Sequence, residues 1–189
     1  MRPYPPLGLL SIAAWVEREA IEVDVFDTTF SSFDALMERL RAAQPRFVGI
    51  YVTLMTRSNV LNLVAAIRAT PVLVNTTIIL GGPEVTFHAD RLLEHGADVI
   101  VLGEGEITTT EVIETVLRGG DLSDVAGVAF RREDGSVIRT SPRPLLKQID
   151  SLPIPKRDAI DLQRYLDVWR RHHGAGAVSI STMRGCPFT

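Results

Sequence analysis

Short, nearly continuous apolar runs alternate along this chain with stretches of helical period, and that alternation leaves few folds open. The runs 47–52 and 77–80 lack the polar alternation of a strand with one wet face. Each reads as a strand covered on both faces, the condition found in parallel sheets. Val23, Val25 and Phe26 make a shorter strand ending at Asp27, and 98–102 makes a fourth. Helical stripes lie between and around them. Leu9, Ile12, Ala13, Val16 and Ala20 share one face after Pro5 and Pro6. Phe33, Leu36, Met37 and Leu40 share a second, with Ser31 or Ser32 as its cap. Val60, Leu63, Val64 and Ile67 share a third, and a fourth helix over 86–95 stops at Gly96. A fifth opens at Gly103-Glu104-Gly105-Glu106 and ends at Gly119-Gly120.

Strands and helices alternating at this length predict an α/β fold with a parallel, doubly wound, Rossmann-like (flavodoxin-like) sheet. Such a domain normally opens with a strand that lies in mid-sheet, whereas this chain opens with a helix. The expectation is a sheet lacking its first strand; a helix-first variant of the fold is the alternative. A sheet without its centre has open edges, so poor solubility is expected.

The character changes after residue 120. The segments 127–131 and 136–140 flank Glu133-Asp134-Gly135, a hairpin signal. Pro142, Pro144, Pro153 and Pro155 mark an extended linker. A short helix over 162–169 follows, then His172-His173 in a flexible stretch, a strand over 177–181, and Met183 to Thr189. The expected domains are 1–125 (Rossmann-like), 126–175 (hairpin and linker) and 176–189 (the start of another unit).

Composition removes several function classes. Acidic residues outnumber basic ones, 23 to 20, for a net charge of −3, so no basic excess collects nucleic acid phosphates. A lone cysteine, Cys186, forms no internal disulfide and no zinc site by itself. No run approaches the roughly 20 apolar residues of a membrane span. Residues 7–16 have the length of a signal-peptide core, but prolines precede them and a charged helical pattern continues through Glu17, Arg18 and Glu19. A cytoplasmic location, without membrane or nucleic acid partners, is the expectation.

In an open parallel sheet, ligands sit in loops beyond the carboxyl ends of the strands. Four loops qualify: Asp27-Thr28-Thr29; Thr53, Leu54, Met55 and Thr56; Gly81, Gly82, Pro83 and Glu84; and Gly103, Glu104, Gly105 and Glu106. Glycines let backbone approach a large ligand closely, and helix-start N–H groups can hold a phosphate. Tight turns alone would also explain any one of these glycine loops. Glu104 and Glu106 could serve as acid/base groups, as ligand acceptors, or simply as favourable charge at a helix N-terminus. Neither GxGxxG nor GxxxxGK[ST] occurs, which disfavours the usual nucleotide sites. The four histidines read as surface residues, since His88 and His95 stand two helical turns apart.

The ordered motifs Pro5-Pro6-Leu7-Gly8-Leu9, Gly81-Gly82-Pro83-Glu84, Gly103-Glu104-Gly105-Glu106 and Arg184-Gly185-Cys186-Pro187-Phe188-Thr189 resemble the cobalamin-binding radical S-adenosylmethionine enzymes. The resemblance covers almost the whole chain. It implies an N-terminal cobalamin-binding domain, a linker, and the first strand of a radical barrel whose CxxxCxxC motif holds a [4Fe-4S] cluster. Cys186 matches the first of those cysteines, and Pro187, Phe188 and Thr189 match the spacers. It also implies a fragment, not catalytic by itself, whose intramolecular partner is the remaining barrel. No D-x-H-x-x-G motif is present, so cobalamin is expected with its own base displaced and no histidine on cobalt. Residues 53–57 are expected at the lower face, with 81–84 and 103–106 along the nucleotide tail and corrin edge. The full enzyme would transfer methyl groups or carry out radical rearrangement or cyclisation. One alternative is a non-catalytic Rossmann-like module that has lost cobalamin and serves in docking. Another, disfavoured by the missing phosphate fingerprints, is a flavin or nucleotide binder.

Overall fold

A computed structural model describes residues 3–181. In chain order the helices are α1 (Leu7–Arg18), α2 (Phe33–Ala43), α3 (Arg57–Arg68), α4 (Val85–Glu94), α5 (Gly105–Arg118) and α6 (Leu162–His173). The strands are β1 (Phe47–Tyr51), β2 (Thr77–Gly81), β3 (Val99–Val101), β4 (Val128–Arg131) and β5 (Val137–Arg139). The chain forms two compact units: Ser31–Leu145, and Met1–Phe30 with Leu146–Thr189.

The Ser31–Leu145 unit holds the whole sheet, in the order β1-β2-β3-β4-β5. β1, β2 and β3 are parallel, with Phe47 opposite Thr77 and Ile79 opposite Val99. β4 and β5 add antiparallel, Val101 facing Val128 and Phe130 facing Ile138. This is the α/β, Rossmann-like arrangement, with the hairpin carried in the same sheet. β2 and β3 are covered on both faces, with Ile78, Ile79, Leu80, Val99 and Ile100 buried. β1 departs from that expectation, since Gly49 and Tyr51 are exposed among the described residues. Ile78, Leu80 and Ile100 join Val52, Ile67, Val85, Ala89 and Ala129 in one core. The helices form where caps and stripes coincide. Ser32 Oγ accepts the Ala35 N–H at 3.1 Å and starts α2, one of the two caps expected.

A polar clamp sets the lower ends of β2 and β3. Arg68 donates from Nε to the Gly96 carbonyl at 2.9 Å and from Nη1 to the Thr76 carbonyl at 2.8 Å. Its Nη2 pairs with Asp98, and that carboxylate accepts the Ile78 N–H at 2.6 Å. One guanidinium thus ties α3 to the start of both strands.

In the other unit, Leu10, Ala13 and Val16 of α1 are buried. The Lys156 N–H donates to the Leu10 carbonyl at 3.1 Å, and Lys156 pairs with Glu17. The Tyr165 hydroxyl donates to Asp27 Oδ2 at 2.5 Å and lies 2.9 Å from Thr29 Oγ1. Trp169 makes tilted ring contacts with Tyr4 and His173 and donates from Nε1 to the Pro3 carbonyl at 2.8 Å. Among the described residues no helix is long and apolar enough to cross a membrane.

Three further expectations change. Residues 23–26 are not a strand, and neither are 177–181. Both have strand composition, but a strand exists only where a neighbour completes its ladder, and neither has one among the described residues. The sheet therefore has three parallel strands where four were expected. The helix predicted over 162–169 continues to His173, so His172 and His173 form its last turn. There their charge, when protonated, suits the negative end of the helix dipole.

Candidate functional site

Because β1, β2 and β3 run parallel, their carboxyl ends share one end of the sheet. The loops holding Thr53 to Thr56, Gly81 to Glu84 and Gly103 to Glu106 emerge there. The fourth predicted loop, Asp27-Thr28-Thr29, belongs to the other compact unit, where Asp27 and Thr29 are engaged by Tyr165.

The first loop is closed by two threonines. The Thr53 N–H donates to Thr56 Oγ1 at 3.0 Å, and the Thr56 N–H reaches Thr53 Oγ1 at 3.3 Å. The Arg57 N–H donates to the Thr53 carbonyl at 3.0 Å. This reciprocal bonding closes the turn before α3 and satisfies the N–H groups of Thr56 and Arg57, while the Thr56 side chain caps no helix N–H. It also pushes the intervening Leu54 and Met55 outward, 69% and 76% exposed.

The second loop crosses the first at backbone contact. The Val52 N–H donates to the Gly81 carbonyl at 2.7 Å. Gly82 has φ +112°, and a Cβ there would lie 2.5 Å from the Val52 carbonyl oxygen. Only glycine meets both demands. An ionic cluster then joins the helices that follow. Arg57 Nη1 lies 2.5 Å from Glu84 Oε1 and 2.9 Å from His88 Nε2. That Nε2 is 3.1 Å from Glu84 Oε1. A neutral His88 can accept from Arg57; a protonated one can only donate, to Glu84. His88 leaves helical geometry, at φ −131° and ψ 19°. Beside it Phe87 is 80% exposed.

The third loop is more open. Gly103 has φ +85° with nothing near its missing Cβ. Glu104 precedes α5 in extended geometry, and Glu106 in the first turn is buried. Thr108 donates to the Glu104 carbonyl at 3.1 Å and accepts from Arg143 Nε at 2.7 Å, while Arg143 pairs with Glu111.

The structure thus gathers three of the four predicted loops at one end of the sheet, with Leu54, Met55, Phe87 and Gly103 accessible and Glu84 tied into an ion pair. The Arg57–Glu84–His88 cluster was absent from the sequence reading. The i,i+4 spacing of Glu84 and His88 signals half of it; Arg57 stands 27 residues from Glu84 and gives no local sign. No group of three or more potential metal ligands occurs among the described residues. Cys186 lies outside them. A groove of about 450 Å³ lies elsewhere, in the other unit, between α1 and residues 153–158, and contains none of the predicted site residues.

The donor set suits a large ligand held by backbone and apolar surface. Accessible Leu54, Met55 and Phe87 offer apolar contact, and the open Gly103 turn leaves room before the N–H groups that open α5.

Comparison with known proteins bears on the same region. The family model described as B12 binding domain matches residues 2–113. An uncharacterized methyltransferase of Pyrococcus horikoshii is 32% identical over 191 residues, covering 97% of this chain and 39% of that protein. The anaerobic magnesium-protoporphyrin IX monomethyl ester cyclase of Synechocystis is 32% identical over 187 residues, covering 97% and 36%. The chain therefore spans less than two fifths of either relative. Among solved structures, the cobalamin-dependent S-adenosylmethionine radical enzyme OxsB, with aqua-cobalamin and S-adenosylmethionine bound, superposes with a TM-score of 0.82. Its identity is 19%, and the match covers 99% of this chain and 25% of that one. The radical S-adenosylmethionine methyltransferase TsrM from Kitasatospora setae gives 0.70 at 22% identity, covering 89% and 34%. At such identities these two show the fold.

Proposed function

This chain belongs to the B12-binding domain family, and from that premise we propose that it binds cobalamin at the loops beyond β1, β2 and β3. The observation that carries the reading is coincidence: the matched residues 2–113 enclose all three loops. Thr53, Leu54, Met55 and Thr56 would face the corrin. Gly81, Gly82, Pro83 and Glu84 would do so chiefly through backbone, since the Glu84 carboxylate is engaged. Gly103, Glu104, Gly105 and Glu106 would meet the nucleotide tail, where helix-start N–H groups suit a phosphate. Bound cobalamin supplies a cobalt centre able to carry an alkyl group. The chain's own work is to hold the ring and to keep Leu54 and Met55 against it, excluding water.

In the longer protein, the reading extends to a radical S-adenosylmethionine enzyme. Cys186 would be one ligand of a [4Fe-4S] cluster, and the remaining barrel the intramolecular partner. The names of the relatives support methyl transfer or cyclisation as the reaction class.

The test is a hydroxocobalamin titration followed by gel filtration of the folded chain. Co-elution of cobalamin with a changed visible spectrum is expected. A folded chain that neither retains the corrinoid nor alters its spectrum would sink the proposal and favour a module that has lost the cofactor. Binding at a hundredfold excess over the dissociation constant should also stabilise the chain by about 2.7 kcal/mol.

A further inference from the structure

The loop 53–56 is tied to the loop 81–84 at both of its ends. At the near end the tie is backbone. The Val52 N–H donates to the Gly81 carbonyl at 2.7 Å, and the Glu84 N–H lies 3.5 Å from the Val52 carbonyl oxygen. At the far end the tie is the Arg57 side chain, whose Nη1 lies 2.5 Å from Glu84 Oε1 and 2.9 Å from His88 Nε2. Leu54 and Met55 form the exposed crest between the two ties.

The fold does not need the second tie. Buried Val60, Leu63, Val64 and Ile67 hold α3, and buried Val85, Ala89, Leu92 and Leu93 hold α4. The Arg57 and His88 side chains are 37% and 31% exposed, and at such exposure an ion pair adds little stability. Three interlocked polar groups do, however, fix geometry. The His88 ring joins the cluster at the residue where α4 leaves helical φ/ψ, and its neighbour Phe87 is turned outward. Arg57 thus fixes the crest of the first loop, and His88 fixes the backbone that presents Phe87.

We propose that Arg57, Glu84 and His88 are the positioning residues of the corrinoid site, holding Leu54, Met55 and Phe87 in one arrangement before the ring arrives. The inference rests on the cobalamin reading and names the groups that preorganise that site. Their side chains act through the loops, by lowering the cost of ordering them on binding.

Hydroxocobalamin titrations of the 189-residue chain test this, with affinity and the circular dichroism of the corrin bands read together. Arg57→Ala and Glu84→Ala should each weaken binding on the order of tenfold and change the dichroism, because the ring then meets loops that are no longer held. His88→Leu should do the same. His88→Gln should restore both readouts, since an amide can accept from Arg57 and donate to Glu84; a general loosening of α4 would give no such rescue. Wild-type binding matched in affinity and dichroism by every variant overturns this proposal and leaves the cobalamin reading standing. So does a His88→Gln variant as impaired as His88→Leu. A wild-type chain that takes up no corrinoid overturns both. Melting curves of the free variants show which of them fold, and where an alanine variant does not, the His88 pair decides.

Discussion

Tyr165 is fully buried, yet its hydroxyl is bonded to the Asp27 carboxylate and beside Thr29 Oγ1. Burial, and then the bond to Asp27, push its pKa well above the ordinary phenol value of 10.0. A raised folded pKa means that the protonated form carries the stability: this contribution is complete below pH 10 and is lost as pH rises through the folded value. Difference absorbance during an alkaline titration should show one of the three tyrosines failing to ionise where a free phenol does, until the protein unfolds. In Tyr165→Phe that late component should vanish. The same substitution removes a hydrogen bond to a charged acceptor and should cost about 1.5–3 kcal/mol in denaturant unfolding. A variant as stable as the wild type would mean that Asp27 finds water instead.

At the scale of elements, the crossing of the first two loops depends on Gly82. Gly82→Ala places a methyl group 2.5 Å from the Val52 carbonyl oxygen at positive φ. Gly103→Ala meets positive φ with open space. Positive φ alone costs about 1–2 kcal/mol, so Gly103→Ala should lose about that much and Gly82→Ala clearly more, read from paired denaturant melts. Equal losses would show that the loops can part at no cost. These loops were legible because glycine and turn residues mark them locally, and so were β1 to β3, whose apolar runs need no partner to be recognised. What defeated the sequence was non-local. Residues 23–26 and 177–181 have strand composition, but no local pattern says whether a ladder partner arrives. The Arg57–Glu84–His88 cluster joins residues 27 and 31 positions apart, brought together by the parallel return of α3 and α4 after their strands.

For the whole molecule, the division into units sets how folding should be shared. The Ser31–Leu145 unit is continuous in sequence and contains the entire sheet. Every residue of its main core cluster, from Met37 to Ala129, lies within it, as do the polar ties Arg57 to Glu84, Arg68 to Asp98 and Arg143 to Glu111. The other unit is assembled from the two ends of the chain, so its formation must close a loop of more than a hundred residues. Closure cost grows only slowly with loop length, but among its described residues the discontinuous unit has no sheet to repay it. Excised residues 31–145 should therefore fold alone, with dispersed amide resonances and one cooperative thermal transition. A broad, non-cooperative melt from this piece would mean that the core cluster cannot sustain the sheet without α1 and α6. The division at residues 30 and 145 would then be a contour of contacts and not a boundary of folding.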